Sequence, residues 1–534
     1  MMQRLMGVET EYAFTPMGRN GASLRREPIL EKMIKLAKAR FPHIRAAQNF
    51  GIYLGNGARF YIDRGLHPEM CSPECTDPWE IVRYVKAGER ILLDLTRELE
   101  STIRGLEKVH LFRTNVDYGG TGATWGFHES YLCRADLEAL AEQIIPHLIS
   151  RVIFGGAGGF ETFPAGLEFT LSPRASHIDR VESDDSMRHR GIFHTKEESL
   201  CGHGYRRLHI LCGNSLGSET ALWLTIATTA VIIALIDAGK NPGNDVRLKD
   251  PLAAYRAFCM DPECEAEAPL IDKTRATAIS IQRHYLAVAE AHADAGFMPP
   301  WTGEVCGRWR WVLDSLEQKS EGLKKSLDWV MKHALYTEQI RQHQMSWDQL
   351  GVWTAFLHRV RKGLNQALFP GDLAVAERIL AGRTPLREQV RPLTPALKKV
   401  KLGLEDLDRF FALRQKLFEI DTRFSELGEG GIFSTLEQAG VLDHRVVDDE
   451  EIREAKTVAP PGGRARIRGE FIRKLTRDRD EFRCSWENVC DVKNRRTMDL
   501  SHPFENQERW RDLGLSPELP LDPEDVTFLD RMGL

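Results

Sequence analysis

The chain has 534 residues, of which 42% are hydrophobic and 28% are charged, and its 72 basic and 77 acidic side chains give a net charge of −5. This composition excludes wholesale disorder and collagen-like repeats, and the near balance of charge argues against a dedicated nucleic-acid-binding protein. The length leaves room for about three or four domains, or for one large enzyme domain with a small second one.

Strand and helix signals alternate through the first half of the chain. Apolar and polar side chains alternate over 4–13 and 59–63, which predicts two strands, and 206–213 predicts another. Residues 77–101 predict a long helix, because apolar side chains recur at helical spacing after a strong start signal. That signal is an N-cap aspartate, a proline at the first helical position and a glutamate at the capping-box position: Asp77, Pro78 and Glu80.

The run from Glu219 to Asp237 contains the longest charge-free apolar stretch, at the lower limit of the length that crosses a bilayer. Four threonines interrupt this stretch, so we expect a helix buried in a large core. The amino terminus lacks the apolar core of a signal peptide, and the ten cysteines show no metal-binding or disulfide-like spacing. We therefore expect a cytoplasmic protein with reduced thiols and no membrane partner.

In the second half of the chain, the pattern from about 275 to 420 predicts mostly helices. The sequence Pro460-Pro461-Gly462-Gly463 then interrupts the pattern and precedes an arginine-rich stretch, 464–483. We expect a domain boundary at this break. It would separate a catalytic domain over 1–460 from a small carboxyl-terminal domain over 461–534.

Two carboxylates mark the first strand as a candidate metal site. Glu9 and Glu11 occupy alternate positions, so both side chains face the same side of the strand. Carboxylates about 7 Å apart along a strand can hold Mg²⁺ jointly, because hard divalent cations prefer oxygen ligands. From spacing alone, a pair that faces solvent on an edge strand is the alternative.

Polar side chains also share one face on two later strands. Arg59, Tyr61 and Asp63 form a cation, a phenol and a carboxylate that are suited to phosphate binding and acid–base chemistry. On the 206–213 strand, Arg207 and His209 face the same side, where they can meet a phosphate or a metal-bound ligand. The alternative for the first set is a polar strand surface with a surface loop, and the alternative for the second is a surface salt-bridge site.

Taken in order, these motifs resemble one family, the Pup ligases and Pup deamidases (depupylases). The resemblance implies a fold similar to that of glutamine synthetase: an α+β fold with a curved antiparallel sheet covered by helices, and a small carboxyl-terminal domain. The residues that carry it span nearly the whole chain: Gly7-Val8-Glu9-Thr10-Glu11-Tyr12, Asn56-Gly57-Ala58-Arg59-Phe60-Tyr61-Ile62-Asp63, His67-Pro68-Glu69, His128-Glu129-Ser130-Tyr131, Tyr205-Arg206-Arg207-Leu208-His209, Ile281-Gln282-Arg283, Asp328-Trp329-Val330, Arg464 to Phe471, and Trp486.

The same resemblance implies ATP and Mg²⁺ as cofactors and assigns a role to individual residues. It makes Asp63 the catalytic carboxylate. It places Mg²⁺ on Glu9, Glu11 and Glu69, with His209 as a further ligand. The residues that it implies at the nucleotide are Arg59, Tyr61, Arg207 and Trp486.

The implied reaction is ATP-dependent ligation of the carboxyl-terminal glutamate of a small acidic Pup-like modifier to lysines of protein substrates, through a phosphoglutamyl intermediate. The alternatives are a depupylase or deamidase acting on the same modifier, a small-molecule glutamate–amine ligase, and a non-catalytic paralogue. The interval 14–55, which lacks a low-complexity insert, and the sequence of 63–67 resemble the ligase branch. Residues 72–78 resemble the depupylase branch.

Several features depart from the family pattern. Ser130 and Met70 stand where the family usually has asparagine and tyrosine, and the helical stretch over about 335–420 is a longer insertion than the family leads us to expect. We interpret the basic run 398–401 as a solvated helix face, with an altered partner-binding insert as the alternative. The stretch 464–483 is expected to close the nucleotide site or to contact the acidic modifier, with a structural role as the alternative and no nucleic-acid binding.

Overall fold

The computed structural model describes residues 4–47, 51–162, 165–184, 189–195, 200–366, 368, 373–443 and 445–512. Within these ranges the chain forms nineteen strands: β1 (Met6–Glu11), β2 (Ala13–Gly18), β3 (His43–Arg45), β4 (Ile52–Leu54), β5 (Arg59–Ile62), β6 (Pro68–Cys71), β7 (Leu106–Phe112), β8 (Phe127–Cys133), β9 (Gly159–Phe160), β10 (Phe169–Thr170), β11 (Arg180–Ser183), β12 (Gly191–His194), β13 (Arg206–Ile210), β14 (Glu267–Pro269), β15 (Arg275–Thr277), β16 (Phe482–Cys484), β17 (Asn488–Asp491), β18 (Arg496–Asp499) and β19 (Trp510–Asp512).

The same ranges contain seventeen α-helices: α1 (Arg26–Arg40), α2 (Pro78–Thr102), α3 (Leu137–Ser150), α4 (Val152–Gly155), α5 (Glu219–Asp237), α6 (Pro251–Cys259), α7 (Ala278–Ala291), α8 (Thr302–Glu317), α9 (Asp328–Gln342), α10 (Trp347–Leu364), α11 (Leu373–Gly382), α12 (Thr384–Val390), α13 (Thr394–Lys399), α14 (Leu407–Ser425), α15 (Ile432–Gln438), α16 (Asp449–Ala455) and α17 (Gly463–Lys474).

A nine-stranded sheet forms the centre of the described chain, in the order β11-β12-β13-β8-β1-β6-β5-β4-β3. Neighbouring strands are antiparallel except for β11 and β12, which run parallel at one edge. The predicted α+β class is confirmed. The sheet is mixed because of that edge pair, whereas the sequence predicted an antiparallel one.

The central sheet has one polar face and one apolar face. In β1, buried Met6, Val8 and Thr10 alternate with the half-buried positions 7, 9 and 11. Helix α2 contacts β1 and helix α5 contacts β8, and both helices share one hydrophobic core with Met6 and Val8. Because side chains alternate across a strand, the helices cover one face and both β1 carboxylates lie on the other.

Helix α2 begins as the sequence predicts, with one difference. The Asp77 side chain accepts a hydrogen bond from the Glu80 backbone N–H at 2.8 Å, which satisfies one of the unpaired donors of the first turn. The Glu80 carboxylate accepts from the Thr76 backbone N–H at 2.7 Å instead of reaching back to the N-cap itself. The start signal is therefore confirmed, while its second hydrogen bond involves the preceding residue.

Helix α5 is the predicted apolar helix of the core. By length and composition it could cross a membrane, the one helix of the described chain that passes this test, but 94% of its apolar window is buried inside the protein. The Thr225 hydroxyl donates to the Ala221 carbonyl at 2.8 Å. The hydroxyls of Thr228 and Thr229 likewise donate to the carbonyls four residues before them, those of Leu224 and Thr225. Because these hydroxyls are satisfied within the helix, threonine is tolerated in a fully buried position.

The carboxyl-terminal segment packs directly on the edge of the central sheet. Strands β16, β17, β18 and β19 form a small antiparallel sheet, and the Ala47 backbone N–H donates to the Cys484 carbonyl at 2.7 Å. The division of the chain at residue 461 stays a prediction. One hydrophobic cluster joins the two regions: Ile44, Tyr53, Ile467, Ile472, Phe482, Cys484, Val489, Met498 and Leu500.

The helical prediction for 275–420 agrees with helices α7 to α14. Proline stands in the first turn of α12 and of α13, at Pro385 and Pro395, where its missing N–H costs no helical hydrogen bond. The ten cysteines are free thiols, nine of them buried.

Candidate active site

Strand register brings the predicted metal-binding residues together on the polar face of the central sheet. Glu11 of β1 lies directly opposite Glu69 of β6, and Glu69 lies opposite Tyr61 of β5. On the other side of β1, Glu9 lies opposite His128 of β8. Directly opposed residues have Cβ atoms about 5 Å apart, and Glu9 and Glu11 share one face of β1. These side chains therefore form one continuous polar patch across the strands, which we call the polar row.

The row continues onto β13, which carries the second predicted pair. His209 lies opposite Ser130, and the Ser130 hydroxyl is 3.1 Å from His209 Nδ1. Arg207 is on the same face two residues earlier, opposite Leu132. Ser130, which departs from the family pattern, therefore still supplies a hydrogen-bonding partner for the predicted metal ligand.

Glu9 is the common member of two groups of metal-ligating atoms. Its ligand atoms lie within 4.8 Å of those of His128 and His209, and separately within 4.8 Å of those of Glu69 and Cys71. The structure thus places Glu69 and His209 each beside Glu9, in two separate groups, and their role as metal ligands stays a prediction. It adds His128, whose Nδ1 is 3.5 Å from Glu9 Oε2.

The protonation of this cluster fits a site for a divalent cation. Burial raises the pKa of Glu69 well above its usual value, and the neighbouring negative charges of Glu9 and Glu11 raise it further. Burial alone would also raise the pKa of Glu9, but hydrogen bonds and charge from His128, Glu69 and His209 hold it well below the usual value. The opposite pKa shifts show that the two carboxyl groups interact strongly, and their oxygen atoms are donors that suit Mg²⁺.

His209 is prepared to act as a neutral ligand. Burial lowers its pKa well below the usual value, and the positive charges of Arg207 and His128 lower it further. A neutral imidazole has a free lone pair, which metal coordination requires.

The fourth predicted metal ligand, Glu11, lies in a separate group with Asp63 and His67. Asp63 follows β5 in a tight turn, where its Oδ1 accepts the His67 backbone N–H at 2.6 Å and its Oδ2 is 3.0 Å from His67 Nδ1. Glu11 Oε2 accepts the Gly126 backbone N–H at 2.8 Å and is 3.9 Å from His67 Nδ1. His67 therefore stands between the predicted catalytic carboxylate and the metal-site strand.

A cavity of about 470 Å³ lies between the sheet face and the carboxyl-terminal segment. Its volume falls in the range usual for small-molecule and cofactor sites. Arg59 and Tyr61 face it from β5, with the Arg59 guanidinium 4.4 Å from the Tyr61 ring centre. Two guanidinium groups, an indole and metal-ligating side chains suit a nucleoside triphosphate with its metal. All four residues predicted at the nucleotide line the cavity, together with two predicted metal ligands: Arg59, Tyr61, Arg207, Trp486, Glu9 and His209.

The wall of this cavity depends on a buried arginine. Arg468 lies 4.8 Å from the Trp486 ring centre and donates to the Trp486 carbonyl at 3.3 Å. Tyr53 of β4 contacts the same indole edge-on, with ring centres 5.1 Å apart. Trp486 is therefore fixed from two sides before any ligand binds.

Three arginines of the stretch 464–483 make structural contacts, the role that the sequence left as an alternative. The fully buried Arg468 and the almost fully buried Arg464 both donate to the Glu74 carboxylate, Arg464 Nε at 2.6 Å. Arg473 donates to the Gly55 carbonyl at 2.9 Å. These three arginines contact segments that follow strands β4 and β6 of the central sheet, and Arg464 also lines the cavity. Contact of the stretch with an acidic modifier stays a prediction.

We expect Glu74→Gln to lower the free energy of unfolding by about 3 kcal/mol, because it leaves Arg464 and Arg468 buried without a negative partner. Burial by itself would raise the pKa of Glu74, but Arg468 and Arg464 lower it to about 2. A glutamate in the unfolded chain has a pKa of about 4.3. The stabilisation is therefore complete above about pH 5 and is lost as the pH falls towards 2. Denaturant unfolding at several pH values measures the difference in the free energy of unfolding between variant and wild type, which should narrow as the pH falls.

Glu470→Gln is the matched control, on the helix α17 that also carries Arg464 and Arg468. Glu470 pairs with Arg466 and Lys474 at the surface, where ion pairs contribute about 0.5 kcal/mol or less. Equal destabilisation by the two substitutions would show that burial of the Glu74 pairs does not matter.

Sequence reasoning did not assign three residues that lie in the site. His128 and His67 stand in motifs that resemble the family, yet neither received a role, and Cys71 donates to Glu9 Oε1 at 3.6 Å. Strand alternation places His128 and Ser130 on one face. Only the pairing of β8 with β1 shows that this face is shared with Glu9. The sequence therefore indicated the polar face of β8 but not the strand beside it.

The described geometry agrees with comparisons with known proteins. A family model described as Pup-ligase protein matches residues 4–358 and 402–490. A Pup--protein ligase of Sanguibacter keddieii is 28% identical over 524 residues, covering 94% of this chain and 97% of its own. A Pup--protein ligase of Kribbella flavida is 27% identical over 517 residues, covering 95% of this chain and 98% of its own.

Two solved structures share the fold. The ligase PafA in its complex with the prokaryotic ubiquitin-like protein Pup has a TM-score of 0.69 at 23% identity, covering 99% of this chain and 91% of that chain. PafA in complex with ADP has a TM-score of 0.64 at 23% identity, covering 97% of this chain and 95% of that chain.

Proposed function

This chain belongs to the Pup-ligase family, and we propose that it joins the carboxyl-terminal glutamate of a small Pup-like modifier to lysines of protein substrates, using ATP and Mg²⁺. The observation that carries the proposal is the polar row on the central sheet. Glu69 and His209 each lie beside Glu9 there, in two groups that share it, and Asp63 lies beside the same strands. A non-catalytic paralogue would have no need to keep buried carboxylates whose charges repel one another.

The proposed chemistry begins with activation of a carboxylate, which is inert towards amines. The terminal carboxylate of the modifier takes the γ-phosphoryl group of ATP, and ADP leaves. A lysine amine then attacks the phosphoglutamyl carbonyl, so that an isopeptide bond forms and phosphate leaves. Charge stabilisation is the main contribution of a protein to phosphoryl transfer. Glu9, Glu69 and His209 would hold Mg²⁺ against the phosphates, and Arg59 and Arg207 would face phosphate oxygens from the cavity wall.

We assign the proton transfer to Asp63. A lysine ammonium has a free pKa of about 10.4 and must lose a proton before its nitrogen can attack. His67 holds both oxygens of Asp63, one through its backbone N–H and one near Nδ1. This contact orients the carboxylate, and no lysine or arginine among the described residues forms an ion pair with it, so it stays available to an incoming amine.

The ligase direction is favoured by the position of the two branch-like sequence segments. The turn 63–67 resembles the ligase branch and presents Asp63 itself. The segment 72–78 resembles the depupylase branch, but its contacts are structural: Ser72 Oγ accepts the Val8 backbone N–H at 3.0 Å, and Glu74 pairs with the buried arginines. Packing accounts for the second segment, and the relatives at 27–28% identity are named Pup--protein ligases.

The test incubates the purified chain with ATP, MgCl₂, a Pup-like modifier ending in glutamate and a lysine-bearing acceptor protein. Conjugate with the mass of modifier plus acceptor less one water is expected. Parallel reactions contain a modifier ending in glutamine or a preformed conjugate. Release of ammonia or acceptor in those reactions, with no forward conjugate, would replace the ligase proposal with the amidase. Turnover of free glutamate and small amines alone would instead support the small-molecule ligase.

A further inference from the structure

The chain between the two stretches matched by the family model, residues 359–401, concentrates positive charge. It holds ten lysines and arginines but only three aspartates and glutamates, a net charge of +7 in a chain whose total is −5. The rest of the protein is correspondingly acidic. Such a separation of charge creates a local field of one sign, which attracts a partner of the opposite sign.

The described part of this insert is a fixed part of the fold. Helices α12 and α13 pack on α10, and Leu386, Val390 and Leu397 are buried at these contacts. The Gln349 side chain of α10 also donates to the Val400 carbonyl at 3.0 Å. The basic side chains are therefore carried on an anchored scaffold.

Three arginines recur at intervals of four residues on that scaffold. The Arg387 backbone N–H donates to the Arg383 carbonyl at 3.1 Å, and the Arg391 N–H donates to the Arg387 carbonyl. Residues joined by successive bonds of this kind lie one helical turn apart on one face. All three side chains are exposed, as are Lys398 and Lys399.

We call this exposed set the basic insert surface: Arg383, Arg387, Arg391, Lys398, Lys399 and Lys401. Among the residues that the structure describes, no carboxylate forms an ion pair with any of the six. Elsewhere an exposed arginine such as Arg275 pairs with a carboxylate, that of Glu267, at 2.9 Å. Within the described residues, the charge of the insert therefore has no carboxylate partner and is exposed to solvent.

The chemistry of the surface favours a polypeptide over a nucleic acid. Single-stranded nucleic acids are bound by cationic grooves in which aromatic side chains stack on the bases. The described residues of 359–401 include no aromatic side chain. A row of arginines one turn apart matches carboxylates along an extended acidic chain, which needs no stacking.

We propose that the basic insert surface binds an acidic, extended segment of a partner protein other than the modifier. The family model leaves this insert outside both matched stretches. We therefore assign it a partner other than the modifier, which all members of the family would bind through the matched regions. Binding at this surface requires no ATP, and its failure would leave the proposed ligase activity untouched.

The test measures fluorescence anisotropy of a labelled deca-glutamate peptide with the full chain at low ionic strength. The triple variant Arg383→Gln, Arg387→Gln, Arg391→Gln should bind the peptide about fivefold more weakly than wild type, and added salt should reduce the difference. The control triple Arg104→Gln, Lys240→Gln, Lys249→Gln removes the same charge from exposed sites outside the insert and should bind like wild type. Equal unfolding temperatures for the two triples would exclude misfolding.

Three results would overturn the proposal. The first is equal peptide affinity of the two triple variants. The second is binding of a labelled deca-thymidylate that is tighter than binding of the peptide and that disappears in the triple variant of Arg383, Arg387 and Arg391. The third is displacement of the peptide by excess Pup-like modifier.

Discussion

Asp63→Asn is expected to lower kcat for conjugate formation by about 10²–10⁴-fold, the usual cost of removing a general base. The amide is isosteric with the carboxylate and can still accept the His67 backbone N–H, which Asp63 Oδ1 now accepts at 2.6 Å. It has no charge with which to take the lysine proton. Nucleotide affinity should change little, because Asp63 is not among the residues that line the cavity. Conjugation time courses and a labelled-ADP titration measure the two effects separately.

Glu107→Gln provides the matched control for this substitution. Glu107 is an exposed carboxylate of β7, outside the polar row, and its loss should leave both measurements unchanged. An Asp63→Asn enzyme that kept more than about a tenth of its kcat would contradict the role of Asp63 as base. Equal loss of kcat and nucleotide affinity would instead indicate a collapsed site.

Glu69→Gln is expected to raise the Mg²⁺ concentration needed for half-maximal activity by at least about 100-fold, since even an outer-shell substitution at a metal site costs about 10–100-fold. Glu69 is only 4% exposed and lies opposite both Glu11 and Tyr61. A neutral amide cannot offset the charge of a divalent cation, and its N–H₂ group presents donors where the cation needs acceptors. ATP turnover across a Mg²⁺ series measures the shift.

Removal and return of the metal completes this test. Chelation should abolish turnover by the wild type, and added MgCl₂ should restore it, whereas Glu69→Gln should recover only at high MgCl₂. Glu107→Gln again serves as control and should follow the wild type. A Glu69→Gln enzyme with the Mg²⁺ dependence of the wild type would remove Glu69 from the metal site.

The sequence by itself determined the local geometry on which the site is built. The two-residue period of a strand places Glu9 and Glu11 on one face, and the burial of Val8 and Thr10 agrees with this. The start of α2 at Pro78 follows from its capping chemistry. The apolar run from Glu219 to Asp237 forms the buried helix that its composition predicts. Each of these depends on neighbours within a few residues, which the sequence shows directly.

Only the tertiary structure decided which faces meet. His128 joins Glu9 because β8 pairs with β1 in one register, and a shift of one residue would turn it to the apolar side. Arg464 and Arg468 look like a surface for an acidic partner in the sequence, but Glu74, about four hundred positions earlier, draws them inward. Within the described residues, the basic surface without ion pairs lies on the insert instead. Contacts between segments so distant in the chain are set by the packing of the whole sheet and its helices, which no local pattern encodes.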